Sequence, residues 1–225
     1  MSFYRGPKTI TNGLVLALDA VDRNSYPRSG TTWRDVSGNS INGTLTNGPL
    51  YSDSDSGIIS FDGTNDYCDL GNSLATLTNL SIEVFIKFST QSSNYNGIVS
   101  KTLDNTDGWE IRTTTYTSTT TNVEFRYKGD AAGSGGTTLN NSTWYQIVAT
   151  GASGNQSLYI NGIYNRNGTA ATTPTANSNS LVLGKLAYAG LYANMTLGSV
   201  KIYNRALTAA EIAQNFNALR GRFGI

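Results

Sequence analysis

The chain has 225 residues, 38% of them hydrophobic, enough to bury a core in one large domain or two small ones and to exclude wholesale disorder. Only 14% are charged, against about a quarter in an average domain, and 16 Lys and Arg against 15 Asp and Glu leave a net charge of +1. No strong field draws such a chain to nucleic acid or acidic lipid. Histidine is absent and Cys68 is the single cysteine, which removes histidine-based triads, His-ligated zinc, Cys-rich metal sites and any internal disulfide.

From the start of the chain, Met1-Ser2-Phe3-Tyr4-Arg5-Gly6-Pro7-Lys8 contains no apolar stretch of signal-peptide length, and nothing later approaches a membrane span. The expectation is synthesis in a cytoplasm, no export by the usual route and no membrane insertion. Residues 1–12 read as an N-terminal arm, 13–220 as one domain and 221–225 as a tail, with basic residues at both ends (Arg5, Lys8, Arg220, Arg222) placed in solvent.

Short strands separated by turn signals follow, the pattern of a sandwich or barrel. Leu14-Val15-Leu16-Ala17-Leu18 is a nearly continuous apolar run. Ser81-Ile82-Glu83-Val84-Phe85-Ile86-Lys87-Phe88 alternates, placing Ile82, Val84, Ile86 and Phe88 on one face and Glu83 and Lys87 on the other. Further strands are expected over Gly57 to Phe61, Gly97 to Lys101, Trp109 to Thr115 and Asn122 to Lys128. The last are Trp144 to Thr150, Leu158 to Asn161, Leu181 to Leu183 and Leu197 to Tyr203. Asn-Gly pairs recur at Asn12, Asn42, Asn47, Asn96, Asn161 and Asn167 and suit type I′ turns, most clearly in Leu158-Tyr159-Ile160-Asn161-Gly162-Ile163-Tyr164. Ala132-Gly133-Ser134-Gly135-Gly136 lacks the Gly-Lys-Ser/Thr ending of a phosphate loop and reads as a flexible hairpin tip.

One helix is expected, over 208–220. Thr208 and Glu211 form a capping box, Leu207 and Ile212 a hydrophobic staple, and Ile212, Phe216 and Leu219 an apolar stripe, with Gly221 as the stop.

Five motifs now fall in order: Phe61-Asp62-Gly63-Thr64-Asn65-Asp66-Tyr67, Leu80-Ser81-Ile82-Glu83-Val84-Phe85-Ile86, Trp144-Tyr145-Gln146-Ile147-Val148-Ala149, Leu158-Tyr159-Ile160-Asn161-Gly162 and Val200-Lys201-Ile202-Tyr203-Asn204-Arg205-Ala206-Leu207. Together they resemble the laminin-G-like branch of the concanavalin A-like lectin/glucanase superfamily over roughly residues 13 to 217. The resemblance implies an all-β jelly-roll sandwich of two antiparallel sheets with one short C-terminal helix. Gly13 to Ala20, Ser25-Tyr26-Pro27, Thr31 to Asn39 and Asn42 to Pro49 look like laminin-G-like proteins of tailed bacteriophages. That resemblance implies a virion structural protein, as capsid decoration or a tail or head fibre component. It further implies homo-oligomerisation, other virion proteins as partners, and a face open to host surface glycans. The alternative is a stand-alone carbohydrate-binding, lectin-like module.

Glucanases of this superfamily set two carboxylates at alternate positions on one strand. Here Glu83 is flanked on its own face by Ser81 and Phe85, while Glu110 pairs with Arg112 and Glu124 with Arg126, so no enzymatic activity is expected. Sugars stack on aromatic faces, which makes Tyr95, Trp109, Tyr116, Tyr188 and Tyr192 the candidate carbohydrate contacts; Trp144, in an apolar strand, reads as core. No cofactor is required. The resemblance leaves room for calcium on Asp62, Asp66 and Asp69, with Asp53 and Asp55 a second acidic group. Asp62-Gly63-Thr64-Asn65 reads equally well as an Asx turn, and Cys68 as a small buried residue.

Overall fold

A computed structural model describes residues 7–225 apart from 105, 129, 153–154 and 169–171; over 130–136 it describes the backbone alone. Arg5 lies outside the described residues. Alternation along the strands sets the architecture: every second side chain turns into a shared core, and two sheets close over it.

The first sheet runs β14 (Ile163–Gly168), β13 (Asn155–Ile160), β12 (Trp144–Ala152), β7 (Leu80–Phe88), β16 (Asn194–Tyr203), β5 (Ile58–Asp62) and β4 (Leu50–Ser52). The long β16 pairs β5 through its first half and β1 (Leu14–Asp19) through its second. The second sheet runs β11 (Asp130–Asn140), β10 (Thr120–Tyr127), β9 (Gly108–Tyr116), β8 (Gly97–Thr102), β15 (Val182–Leu183), β6 (Tyr67–Asp69), β3 (Gly43–Thr46) and β2 (Thr32–Trp33). All of these pairings are antiparallel, as a jelly-roll sandwich requires.

Ile82, Val84, Ile86 and Phe88 of β7 meet Ile111 of β9, Val123 and Phe125 of β10 and Leu183 of β15 in one core. Cys68 lies wholly buried there, and burial pushes its thiol far above the usual range, so it is inert packing. Of the Asn-Gly pairs, Asn161 (φ 51°) and Gly162 (φ 77°) make the expected hairpin, with Ile160 opposite Ile163. Asn47 (φ 67°) and Gly48 (φ 113°) adopt the same left-handed geometry but turn the chain from β3 in one sheet to β4 in the other.

Two expectations need correction. The Gly-rich segment is not a hairpin tip. It lies inside β11, where the register jumps from Ala132 opposite Phe125 to Thr137 opposite Val123, a bulge in which glycine costs little. The helix α1 spans Ala209–Phe223, past Gly221, and ends on Gly224 in a left-handed conformation (φ 69°). What carries it past Gly221 is Phe223, 5% exposed, which stacks on Phe85 at 4.7 Å and packs Trp144 at 4.6 Å. The C-terminal residues are thus docked, not a solvated tail.

α1 lies on the outer face of the first sheet. Its capping box forms as expected, with Thr208 accepting from the Glu211 amide and the Glu211 carboxylate accepting from the Thr208 amide. Arg205 clamps the same carboxylate through both terminal nitrogens (2.6 and 2.8 Å) and holds it down at a pKa of about 2. Below the helix, Glu83 is 1% exposed and accepts from Asn215 (2.6 Å) and Lys201 (3.4 Å). Asn215 in turn donates to the Tyr203 hydroxyl and accepts from the Ile10 amide at 2.7 Å, so the start of the described chain closes the same face.

Candidate functional site

The outer face of the second sheet carries a second group of buried charges. On β9, Trp109 and Ile111 turn inward, so Glu110 and Arg112 turn outward; on β10, Phe125 turns inward, so Glu124 and Arg126 turn outward. The register sets Glu124 opposite Arg112 and Arg126 opposite Glu110. Two Glu-x-Arg segments on neighbouring antiparallel strands therefore form a two-by-two lattice of alternating charge.

Arg112 is the hub. Its Nε donates to Glu124 Oε1 at 2.8 Å and its Nη1 lies 3.2 Å from Glu110 Oε1; Arg126 Nη1 lies 3.9 Å from Glu124 Oε1. Glu110 also accepts from Ser100 of β8 at 3.2 Å. It is 1% exposed, and burial raises its pKa above the usual carboxylate range against the opposing pull of Arg112.

Two loops raise aromatic walls over this floor. The β7–β8 loop carries Tyr95, which has a left-handed backbone (φ 62°) and remains 46% exposed. Its neighbour Asn96 is fully buried and fixes the loop, accepting from Ser93 at 2.6 Å and donating to the Ser93 carbonyl at 2.7 Å and Gln91 at 3.2 Å. The Arg112 guanidinium lies 4.7 Å from the centre of the Tyr95 ring, a cation–π contact. The segment after β15 folds back across the sheet, pinned where the Ala187 amide donates to Ser100, and brings in Tyr188. Burial raises the Tyr188 pKa, and its hydroxyl is hydrogen-bonded to Arg112. Tyr95, Arg112, Arg126, Tyr188 and Leu191 line a cleft of about 380 Å³, within the usual range for small-molecule sites.

Two other clefts are roomier. One, of about 480 Å³, is lined by Asn72, Ala75, Leu103, Ala176, Asn177 and Ser178. Beside it Lys101 is fully buried, its ammonium donating to Asn72 Oδ1 (2.7 Å) and to the carbonyls of Asn177 and Asn179. Burial lowers its pKa to about 8. Another, of about 440 Å³, lies between Thr44, Thr46 and Asp69 on the same outer face as the charge lattice. Neither combines an aromatic wall with a charged floor.

The cleft thus unites two of the five expected aromatic contacts, Tyr95 and Tyr188. Tyr116 stands beside it, 37% exposed and donating to the Ser92 carbonyl, and Tyr192 packs against Tyr67 with ring centres 6.4 Å apart. Trp109 is a correction: at 2% exposure it belongs to the core, because β9 turns it inward beside Ile111. Trp144 is buried as expected, yet it lies under α1 with its indole N–H donating to Asp55 at 2.9 Å.

Asp62 and Asp66 are neighbours, but the three aspartates do not gather into one cluster. Asp62 accepts from the Thr64 amide at 2.7 Å in an Asx turn, and that bond lowers its pKa. Asp66 accepts from the Asp62 amide and is buried, which raises its pKa; Asp69 accepts from the Gly71 amide at 2.8 Å. Asp53 pairs with Arg28 and Asp55 with Lys87. Among the described residues no three His, Cys, Asp or Glu side chains gather to hold a metal ion.

A family profile described as the concanavalin A-like lectin/glucanases superfamily, laminin-G type, matches residues 62–213, more than half of the chain. The chain belongs to this superfamily. No curated protein sequence matches it. Among solved structures, this laminin-G-like fold is similar to Trypanosoma rangeli sialidase (TM-score 0.64, 15% identity), over 93% of this chain and 33% of that one. It is also similar to the receptor binding domain of botulinum neurotoxin C/D mosaic serotype (TM-score 0.66, 15% identity, 92% and 51% covered). A third likeness is to the binding domain of Paraclostridial Mosquitocidal Protein 1 (TM-score 0.66, 18% identity, 92% and 52% covered). The chain therefore spans about a third of the sialidase and half of the toxin binding domains, and at these identities the likeness concerns the fold.

Proposed function

We propose that this laminin-G-like domain is a non-enzymatic carbohydrate-binding module, using the cleft walled by Tyr95 and Tyr188 over the Arg112–Glu124 lattice. The observation that carries the reading is that cleft: the exposed Tyr95 ring and the half-buried Tyr188 stand beside guanidinium groups held in place by Glu110 and Glu124, aromatic surface for a sugar face and fixed donors for its hydroxyls. The superfamily assignment and the likeness to domains described as receptor binding and binding domains support it. The non-enzymatic part is supported by the floor chemistry. Glu110 and Glu124 both lie against Arg112, and a carboxylate so engaged is a poor nucleophile or base. A glycan array probed with the intact chain and with Tyr95→Ala tests the binding. Array spots that dim with the substitution support the cleft, and a blank array refutes it. Release of reducing sugar from a bound oligosaccharide would overturn the non-enzymatic reading.

The setting we propose is the surface of a tailed-phage particle, as capsid decoration or a fibre component, with the domain in symmetric copies beside other virion proteins. Its support is the likeness of residues 13–49 to laminin-G-like phage proteins. Among the described residues, no helix is long and apolar enough to cross a membrane. Fixed stoichiometry in purified particles is the expected result; absence from them would leave the lectin-like module without a virion.

A further inference from the structure

Resting on the carbohydrate reading, we infer that the cleft selects neutral, polyhydroxylated sugar units and discriminates against sugars that carry a carboxylate. The floor presents two arginines, which by themselves would attract an acidic sugar. Each is already matched: Arg112 lies 2.8 Å from Glu124 and 3.2 Å from Glu110, and Arg126 faces Glu124 on its own strand and Glu110 on the next. Two positive and two negative groups cancel. A ligand carboxylate aimed at the Arg112 guanidinium must approach Glu110 and Glu124, which already hold that group, and meets like charge in a setting too buried for water to screen it.

A sugar hydroxyl meets no such conflict, because it is uncharged and accepts from a guanidinium N–H without setting like charge against Glu110 or Glu124. Neighbouring hydroxyls on one ring match the guanidinium groups of Arg112 and Arg126, which line the cleft. The exposed Tyr95 ring offers apolar contact to the ring's C–H face, and Tyr188, tied to Arg112, fixes the opposite wall. Leu191, the remaining lining residue, adds no charge. The chain as a whole, at +1, supplies no field to override the local balance.

The test is an array printed with neutral oligosaccharides of glucose, galactose, mannose and N-acetylglucosamine beside the same chains capped with sialic or uronic acid, followed by titration of the best binder in rising sodium chloride. Expected are a preference of roughly tenfold or more for the uncapped chains and an affinity that moves less than about twofold between low and high salt. Glu124→Gln leaves the floor one positive charge in excess and is expected to raise binding of acid-capped chains; Arg126→Gln is expected to lower it further. The salt series on the unaltered protein decides the matter if either variant fails to fold. Preference for acid-capped chains, with affinity falling steeply in salt and lost in Tyr95→Ala, overturns this inference while leaving the carbohydrate reading intact. Neither panel bound overturns both.

Discussion

Glu83 on the first sheet and Glu110 on the second are both 1% exposed carboxylates on outward-facing strand positions, each with a basic partner, Lys201 on the neighbouring strand and Arg112 on its own. Over Glu83 the chain lays a 15-residue helix and its own first described residues, so that Asn215, Tyr203 and Ile10 consume the remaining hydrogen-bonding capacity. Over the Glu110–Arg112 pair there are only the loops carrying Tyr95 and Tyr188, and the space they leave above the arginines is a cleft. Similar chemistry serves cohesion where a helix seals it and underlies a cleft where loops leave space above its arginines. Buried charge alone is thus no guide to function in this fold; what lies over it is.

Glu83→Ala is the strongest way to break the contrast. It strands Lys201 and Asn215 in a sealed layer, with an expected loss of about 3–5 kcal/mol. That is a melting temperature lower by roughly 10 °C or more for a chain of this size, with glycan binding unchanged below the transition. Phe223→Ala unpacks the helix end from Phe85 and Trp144 and is expected to cost about 3 kcal/mol by chemical denaturation, again without touching the cleft. An effect of either variant on binding at low temperature would show that the two faces are coupled.

Acidity separates the faces by sign. The Glu211 carboxylate is held at about 2 by Arg205, so its contribution is full above the ordinary value of 4.5 and is lost as pH falls towards 2. Glu110 is raised by burial, so the folded state holds its proton more tightly than the unfolded chain, and its effect is to stabilise as pH falls through the window above 4.5. Melting curves from pH 6 to 3 are expected to flatten in Glu211→Gln and to steepen in Glu110→Gln; the reverse pattern would contradict these assignments. Smallest of all on stability is Tyr95→Ala, expected within about 0.5 kcal/mol because the ring is half exposed, while glycan binding falls roughly tenfold or more.

Much of the sandwich was legible before any coordinates. The alternation of β7, the Asn161-Gly162 hairpin and the Thr208–Glu211 capping box are local patterns with local causes, and all three form as expected. The two- to four-residue strands β2, β3, β4 and β6 carry too few residues for a period to register; they exist because longer neighbours offer them an edge. Gly221 failed as a stop because the packing of Phe223 outweighs the helix penalty of one glycine. Trp109 misled because its polar neighbours describe the other face of its own strand. The cleft itself was half visible. Glu110-Ile111-Arg112 and Glu124-Phe125-Arg126 are two copies of one spacing, and set antiparallel and adjacent they must interlock their charges. Strand adjacency is the missing fact, and it is tertiary.

The placement of the two chain ends has a consequence for tethering. Lys8 and Ile10 bond to Gln214 and Asn215 of α1, and Ile225 packs near Phe223, so both ends of the described chain sit on the outer face of the first sheet, with the core between them and the cleft. A linker joined at either end leaves the molecule on the side away from Tyr95 and Tyr188. Copies anchored to a common support through such linkers hold their clefts outward and side by side, a geometry in which millimolar single-site affinity becomes firm attachment through effective concentration alone.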